Sequence, residues 1–175
     1  GLGCEVAGTD LTPSRTQDAA QRGIETLLPG AWRGRSFDLI HAEQIFEHLP
    51  DPRATLQDLA QSLAHGGILQ IGVPSTRGLG RRLRRMDWTA SKGMRWALTV
   101  VHPLEHLNAF PRAALVALGA SAGLAPVWVN PMHHLTAVNL RSPARAVKSL
   151  LRPLRILLRP DRTTIFLRQA AALAV

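Results

Sequence analysis

The sequence has a single cysteine, no long uncharged hydrophobic run and no secretory leader pattern. One cysteine, Cys4, excludes an intrachain disulfide and a zinc site built from several thiolates, and we expect it to pack as a small apolar residue in a strand. No stretch of about 18 uncharged apolar residues occurs, so no segment is expected to span a membrane by itself. The residues from Gly1 lack both a basic region and a cleavage signature. These absences predict a protein of the reducing cytoplasm.

Positive charge is abundant but unevenly spread along the 175 residues, which carry a formal charge of +9. Seven of the 21 basic residues lie between Arg77 and Arg95, and seven more lie between Arg141 and Arg162. The rest of the chain is mildly acidic. Because this length supports one core, we expect a single domain over residues 1–175, with basic inserts at about 76–101 and 131–162.

Short apolar segments alternate with segments of helical periodicity. The predicted strands are Cys4–Leu11, Ile24–Leu28, Ser36–Ala42, Ile68–Pro74, Ala125–Asn130 and Thr163–Gln169, and the predicted helices are Ser14–Arg22, Asp51–His65 and Pro111–Leu124. The near-continuous apolar run at Ser36–Ala42 is typical of a strand buried on both faces. We expect Ala19 and Ala20 to face inward, and Gly66 with Gly67 to end the second helix. The alternation predicts an α/β fold with a mostly parallel sheet.

In such sheets ligands bind beyond the carboxyl ends of the strands, so the residues after each strand are the candidate site. These are Asp10, the polar cluster from His41 to His48, and Pro74 with Ser75. A carboxylate at the position of Asp10 can accept two hydrogen bonds from the vicinal hydroxyls of a ribose. It can equally serve as a turn or helix-cap aspartate, and both interpretations stay open.

Four segments resemble a known family in their order and spacing: "VAGTDLTP", "FDLIHAEQIFEHLPDP", "LAQSLAHGGILQIGVPS" and "HPLEHLNAFPRAALVALGASAGL". They are similar to the class I S-adenosylmethionine-dependent methyltransferases, above all to the group that methylates small molecules, lipids, quinones and sugars. The resemblance covers Gly3 to about Val129. Thr163–Gln169 resembles the antiparallel last strand of that family.

The resemblance implies a Rossmann-like, doubly wound sheet and S-adenosylmethionine as the cofactor. Carried over to this sequence, Asp10 would bind the ribose hydroxyls and Leu11 would lie beside the adenine. His41 and Ala42, with Glu43 next to them, would lie close to the methionine part and the methyl group. The helix from Asp51 to His65 would only support the sheet.

The chain departs from the family pattern at two places. It lacks the glycine-rich GxGxG loop and begins where the second strand of the family should, so we expect an N-terminally truncated member without the first strand and that loop. In the family this strand lies between those corresponding to Cys4–Leu11 and Phe37–Ala42. The third strand is followed by "LLPGAW", with no carboxylate to meet the adenine amine.

The cluster after the fourth family strand reads Gln44-x-x-Glu47-His48. In two groups of O-methyltransferases of this superfamily, a Glu-x-x-Glu-His pattern at this place binds a divalent metal. A histidine later in the chain can complete that metal site. Since Gln44 replaces a carboxylate, we expect no metal here. Glu47 and His48 would then orient the loop, with His48 satisfied by backbone hydrogen bonds. His48 and His106 are the candidate catalytic residues, and His106 is either a general base or a structural residue that starts the next helix with Phe110.

The predicted function is methyl transfer, most readily to oxygen, on a small-molecule, quinone, lipid or glycoconjugate acceptor. The segment from Ser149 to Pro160 combines leucines with arginines, and it either contacts an anionic membrane surface peripherally, on its inner face, or packs on the domain. Nucleic acid is not an expected partner because the charge lies in two separate inserts. The alternative is a non-catalytic, methyltransferase-like remnant that acts as a binding or scaffold module.

Overall fold

The computed structural model describes residues 3–85, 105–128 and 162–170. The strands are β1 (Ala7–Gly8), β2 (Glu25–Thr26), β3 (Phe37–Glu43), β4 (Leu63–Pro74), β5 (Leu124–Pro126) and β6 (Arg162–Gln169). The helices are α1 (Pro13–Gln21), α2 (Pro52–Gln61), α3 (Leu79–Arg85) and α4 (Arg112–Ser121), and a 3₁₀ turn covers Phe46–His48.

The described strands form two sheets. β1 and β2 make a parallel pair, while the second sheet has the order β3-β4-β6-β5. In that sheet β3 and β4 are parallel, and β6 is antiparallel to both of its neighbours. Consequently β3, β4 and β5 all point the same way. The prediction of an α/β fold with a mostly parallel sheet and an antiparallel last strand is therefore confirmed.

The prediction that β3 is buried on both faces is wrong. Leu39 is 61% exposed, and Ala42 is the one buried residue of this strand. Among the described residues β3 pairs with β4 alone, so it is an edge strand of its sheet. A long apolar strand at an edge keeps a row of backbone groups and side chains in contact with solvent. That a strand is missing between β1 and β3 stays a prediction.

α2 follows its prediction at the start and departs from it at the end. Asp51 caps the helix, since its carboxylate accepts a hydrogen bond from the Ala54 N–H (2.9 Å). The helix ends at Gln61 rather than at His65, and Leu63 lies buried in β4. Pairing with β3 already begins here, because the Phe37 N–H donates to the Ser62 carbonyl (2.9 Å). Between the partners of Phe37 and Leu39 the register shifts, which marks a bulge in β4.

The N-terminal elements are shorter and more exposed than predicted. β1 and β2 have two residues each. Cys4 lies ahead of β1 and is exposed, so the prediction that it packs in a strand is wrong. No residue of α1 is buried, and Ala20 is exposed instead of facing inward. Gly23 does follow the helix, with a φ of 77° that favours glycine. The two alanines of α1 are therefore not buried against the two-stranded sheet.

The core lies between the four-stranded sheet and the two helices that pack on it. Its buried side chains come mainly from α2, β4, α4 and β6, and include Leu56, Leu69, Ile71, Leu115, Ile165 and Leu167. α4 approaches β6 so closely that a Cβ on Gly119 would lie 3.0 Å from a Leu167 methyl group. Phe46 of the 3₁₀ turn is fully buried in the same core, which fixes the turn at the carboxyl end of β3.

Parts of both basic inserts lie outside the described residues. The first insert contributes α3, whose Arg81 and Arg84 are exposed, while residues 86–104 are not described. The second insert, including Ser149 to Pro160, lies outside the described ranges except for Arg162 at the start of β6. Among the described helices, none has the length and hydrophobicity needed to cross a bilayer.

Candidate functional site

The chain leaves β3 through an unusual backbone conformation. Gln44 has a φ of 57°, a left-handed value that few residues other than glycine adopt, and its N–H donates to the Gly72 carbonyl (2.7 Å). Just before it, the Glu43 carboxylate lies over Gly72, where a Cβ would collide with it. Backbone strain of this kind is concentrated at functional sites. Here it turns the chain from the sheet edge into the 3₁₀ turn.

The 3₁₀ turn presents an acidic side chain to the protein interior. Glu47 is 1% exposed, and neither of its carboxylate oxygens accepts a hydrogen bond within the part of the chain that the structure describes. Burial raises the pKa of Glu47 above its usual value, although its own backbone N–H and the nearby His48 and His106 imidazoles oppose this shift. A buried carboxylate without donors is costly. A proton or another cation bound at this carboxylate would therefore stabilise the site.

His48 lies beside this carboxylate with a defined ring orientation. Its Nδ1 is 2.6 Å from the Glu105 carbonyl oxygen, and because a carbonyl only accepts, Nδ1 must carry the hydrogen. The other ring nitrogen, Nε2, is 3.9 Å from the Glu47 Oε1. The expectation that His48 is satisfied by a backbone hydrogen bond is confirmed for one of its two nitrogens.

His106 meets His48 across 58 positions of sequence. The two rings pack edge to face with centroids 4.8 Å apart. α4 begins at Arg112 with Pro111 as its N-cap, so His106 lies before the helix and not in its first turn. The interpretation of His106 as a helix-starting residue is therefore wrong. The fold brings together the two histidines that the sequence proposed as catalytic residues.

Asn108 holds this histidine pair in place, and the sequence reasoning missed it. Its side-chain amide donates to the Leu49 carbonyl (2.7 Å), and its backbone N–H donates to the Glu47 carbonyl (3.0 Å). These bonds join residues 105–110 to the 3₁₀ turn. One sequence feature could have indicated this role: Asn108 lies two residues after His106 in the segment "EHLNAF". An amide side chain is suited to donating hydrogen bonds to loop carbonyls.

Asp10 follows β1 and takes part in a local turn. Its Oδ1 accepts the Thr12 N–H (2.8 Å) and its Oδ2 accepts from Arg15 (3.3 Å). The Thr12 N–H holds the pKa of Asp10 below its ordinary value, so the group is ionised at neutral pH. The turn interpretation is thus confirmed. The side chain remains 35% exposed, and a carboxylate has four acceptor positions, so these contacts leave capacity for the two hydroxyls of a ribose.

The other predicted cofactor-binding residues lie at strand ends with different exposures. Leu11 is 86% exposed directly after Asp10, which suits an apolar surface for a flat ring. His41 is exposed, Ala42 is buried and Glu43 is partly buried; they stand opposite Gln70, Ile71 and Gly72 of β4. Asp10 and Leu11 therefore have the acceptor capacity and the exposed apolar surface that the ribose and the adenine of an adenosyl ligand would need. Their roles as cofactor contacts stay predictions.

A metal at the histidine pair would need Glu47, His48 and His106, whose ligand atoms lie within 4.8 Å of one another. Two atoms bound to one ion at about 2.1 Å cannot be more than about 4.2 Å apart. The separation of these three ligand atoms is therefore somewhat too large for one ion to bind them all. The expectation that no metal binds stays a prediction.

The α/β sheet with an antiparallel last strand and the carboxylate after a strand are as expected for the class I S-adenosylmethionine-dependent methyltransferases that the sequence resembles. Residues 2–129 match the family model described as a methyltransferase domain. Since this is most of the chain, the chain belongs to that family. S-adenosylmethionine is the cofactor of this class. No curated protein matched the sequence.

Solved structures of similar fold include two named as methyltransferases and one named as a cyclase. An S-adenosylmethionine-dependent methyltransferase from Mesorhizobium loti has a TM-score of 0.58 at 15% identity, with 95% of this chain and 82% of that chain covered. One from Clostridium acetobutylicum has a TM-score of 0.55 at 11% identity, with 96% and 76% covered. The [4+2]-cyclase SpnF has a TM-score of 0.52 at 16% identity, with 94% and 66% covered. At these identities the likeness is one of fold.

Proposed function

We propose that this chain transfers the methyl group of S-adenosylmethionine to an oxygen of a small or membrane-associated acceptor such as a quinone, a lipid or a glycoconjugate. The observation that carries the proposal is the packing of His48 against His106 beside the carboxyl end of β3. An imidazole titrates near neutral pH and can therefore accept the proton that a hydroxyl loses on methylation. An oxygen acceptor is favoured over a neutral amine because a hydroxyl is a weak nucleophile until its proton is removed.

The cofactor would be held through residues after the strands. The ionised Asp10 would accept hydrogen bonds from the ribose hydroxyls, and Leu11 would cover the adenine. His41, Ala42 and Glu43 would border the methionine part at the end of β3. Catalysis would then depend mainly on holding the sulfonium and the acceptor oxygen in line, with His106 or His48 as the base.

The acceptor class follows from charge and position. α3 comes directly after β4, at the same end of the sheet as the site, and presents the exposed Arg81 and Arg84. Guanidinium groups bind phosphate and carboxylate groups readily. They support an acceptor with an anionic group, including one carried at a membrane surface. We accordingly propose a cytoplasmic protein that contacts membranes at most peripherally.

A second function is supported by the division of the sheet. Asp10 follows a two-stranded sheet that shares no described strand pairing with the four-stranded sheet of His41. The cyclase SpnF also has this fold, so the fold does not fix the reaction. A non-catalytic binding or scaffold module is the alternative that these two observations favour.

Titration with S-adenosylhomocysteine by calorimetry separates the two functions. We expect saturable binding with one site per chain, because Asp10 is ionised and keeps acceptor capacity. Adenosine, which keeps the ribose and base but lacks the amino acid, should bind more weakly. Absence of measurable heat with the homocysteine compound at millimolar concentration would contradict the enzymatic proposal and leave the binding module.

Membrane contact has its own test. Co-sedimentation with vesicles containing an anionic lipid should decrease as salt is raised, since screening weakens surface electrostatics. Vesicles of neutral lipid provide the control. Equal binding to both kinds of vesicle would contradict a peripheral electrostatic association.

A further inference from the structure

Glu47 is an ionisable group for which the proposed methyl transfer has so far no use. Its carboxylate is fully enclosed, yet it accepts no hydrogen bond within the described residues. A purely structural position would be filled more favourably by an apolar or amide side chain. The turn that carries Glu47 is held by buried Phe46 on one side and by Asn108 on the other, so the carboxylate is kept where it is.

The groups around Glu47 are mainly proton carriers. The Nε2 of His48 is 3.9 Å from its Oε1, and the His106 ring packs edge to face on the His48 ring. Glu43, at the end of β3, adds a second negative charge nearby and opposes ionisation of Glu47. Glu105 faces the cluster through its backbone carbonyl, which accepts the Nδ1 hydrogen of His48.

The Nε2 of His48 is the nitrogen of that ring that is left to take a mobile proton. Since the Nδ1 hydrogen of His48 is committed to a carbonyl, the lone pair of its Nε2 faces a carboxylate oxygen. Two acceptors that face each other repel unless a proton, a water or a metal ion lies between them, and here the His48 side chain is 42% exposed while Glu47 is enclosed. The ligand atoms lie within 4.8 Å of one another, which is wide for one metal ion; a proton passes between such groups through a bridging water or after they close to hydrogen-bond distance.

We propose that Glu47 is a positioning residue of an acid–imidazole triad with His48 and His106 that receives the proton of the acceptor. In the transfer step the acceptor O–H bond breaks and a bond from that oxygen to the methyl carbon forms. The methyl–sulfur bond breaks with its electron pair staying on sulfur, which becomes neutral. The hydroxyl proton passes to an imidazole, and the Glu47 carboxylate stabilises the resulting positive charge. This role rests on the proposed function.

The test is an NMR titration of the histidine rings in the whole chain, labelled at histidine and freed of metal with a chelator. Glu47→Gln removes the negative charge at nearly constant size. We expect it to lower the titration midpoints of His48 and His106 by about half a pH unit or more, because the imidazolium forms lose their partner. Glu47→Asp keeps the charge and should restore most of the shift. Loss of each signal in His48→Gln and His106→Gln assigns the resonances.

A matched control is Glu25→Gln, which removes an exposed carboxylate of β2 that pairs with Arg35 and not with the histidines. Its midpoints should equal those of the unmodified chain. Midpoints that do not change in Glu47→Gln, or that change equally in Glu47→Asp, would overturn the triad. Broadening of both histidine signals by added Mn²⁺ would overturn it in favour of a metal site.

The histidine titration and the ligand-binding experiment can fail separately. If S-adenosylhomocysteine does not bind but Glu47→Gln lowers both midpoints, the triad exists and the methyltransferase proposal fails for this chain. If the ligand binds and the midpoints are unaffected, the enzymatic proposal stands and Glu47 has no part in holding the proton.

Discussion

At the scale of single residues, the site combines one costly acid with one well-satisfied acid. Glu47 is enclosed without a donor among the described residues, whereas Asp10 is 35% exposed and accepts two hydrogen bonds. The same side-chain chemistry therefore leads to opposite shifts, with the pKa of Glu47 raised by burial and that of Asp10 lowered by a backbone N–H. The contrast yields one prediction on stability and one on binding.

Glu47→Gln should make the folded chain more stable at neutral pH. Because the pKa of Glu47 is higher in the folded state than its ordinary value of 4.5, the folded state binds the proton more tightly, and stability falls as pH rises above that value. The amide cannot ionise, so the variant should gain about 1 kcal/mol at neutral pH and match the unmodified chain in acid. Urea unfolding at several pH values measures this. A constant difference at every pH would contradict the raised pKa.

Asp10→Ala should weaken binding of S-adenosylhomocysteine by about 100-fold, because charge-assisted hydrogen bonds to both ribose hydroxyls are lost. Asp10→Asn keeps an oxygen for the Thr12 N–H and should therefore keep the turn while still binding weakly. The exposed Asp18 in α1, which pairs with Arg22, provides the control substitution Asp18→Ala. Calorimetry measures all three, and unchanged affinity in Asp10→Ala would show that the ribose assignment is wrong.

At the scale of elements, the helix starts were predictable and the helix ends were less so. Asp51 with Pro52 indicated the start of α2, because a carboxylate that accepts a backbone N–H and a proline in the first turn are both local features. The end of α2 depends on a non-local contact, the pairing of Phe37 with the chain at Ser62 and Leu63. Competition between helix and sheet at residues 62–65 was decided by that partner strand.

The two proline-initiated helices allow a matched test of capping. Asp51→Ala should destabilise the chain by about 1 kcal/mol, since it removes the bond to the Ala54 N–H. Thr12→Ala at the N-cap of α1 should change stability much less, because the Thr12 side chain makes no capping bond. Thermal or urea unfolding of both variants measures the difference. Equal losses would mean that the cap of α2 contributes nothing specific.

At the scale of the whole molecule, stability is concentrated in the four-stranded sheet and its helices. Leu167 on β6 is fully buried, and β6 pairs with both β4 and β5 while α4 packs against Leu167 itself. The loop that follows β2 is different, since Leu28 in this loop is 78% exposed. A leucine therefore contributes according to its place in the fold.

Leu167→Ala should lower the free energy of unfolding by about 2–5 kcal/mol, because it leaves a cavity at the centre of the core. Leu28→Ala makes the same chemical change at an exposed position and should cost at most about 0.5 kcal/mol. Urea unfolding followed by circular dichroism compares the two. Similar losses at both positions would contradict the core as described.

The sequence by itself determined the alternation of strands and helices and the candidate groups Asp10, His48 and His106, because periodicity, capping residues and motif spacing are local properties. The antiparallel last strand was implied by the resemblance to the methyltransferases. Only the tertiary structure decided that β3 is exposed at Leu39, that Glu47 is enclosed without a donor, and that Asn108 joins the two loops. Burial and hydrogen-bond partners at these residues depend on segments distant in sequence, such as the 58 positions between His48 and His106, and no local pattern records them.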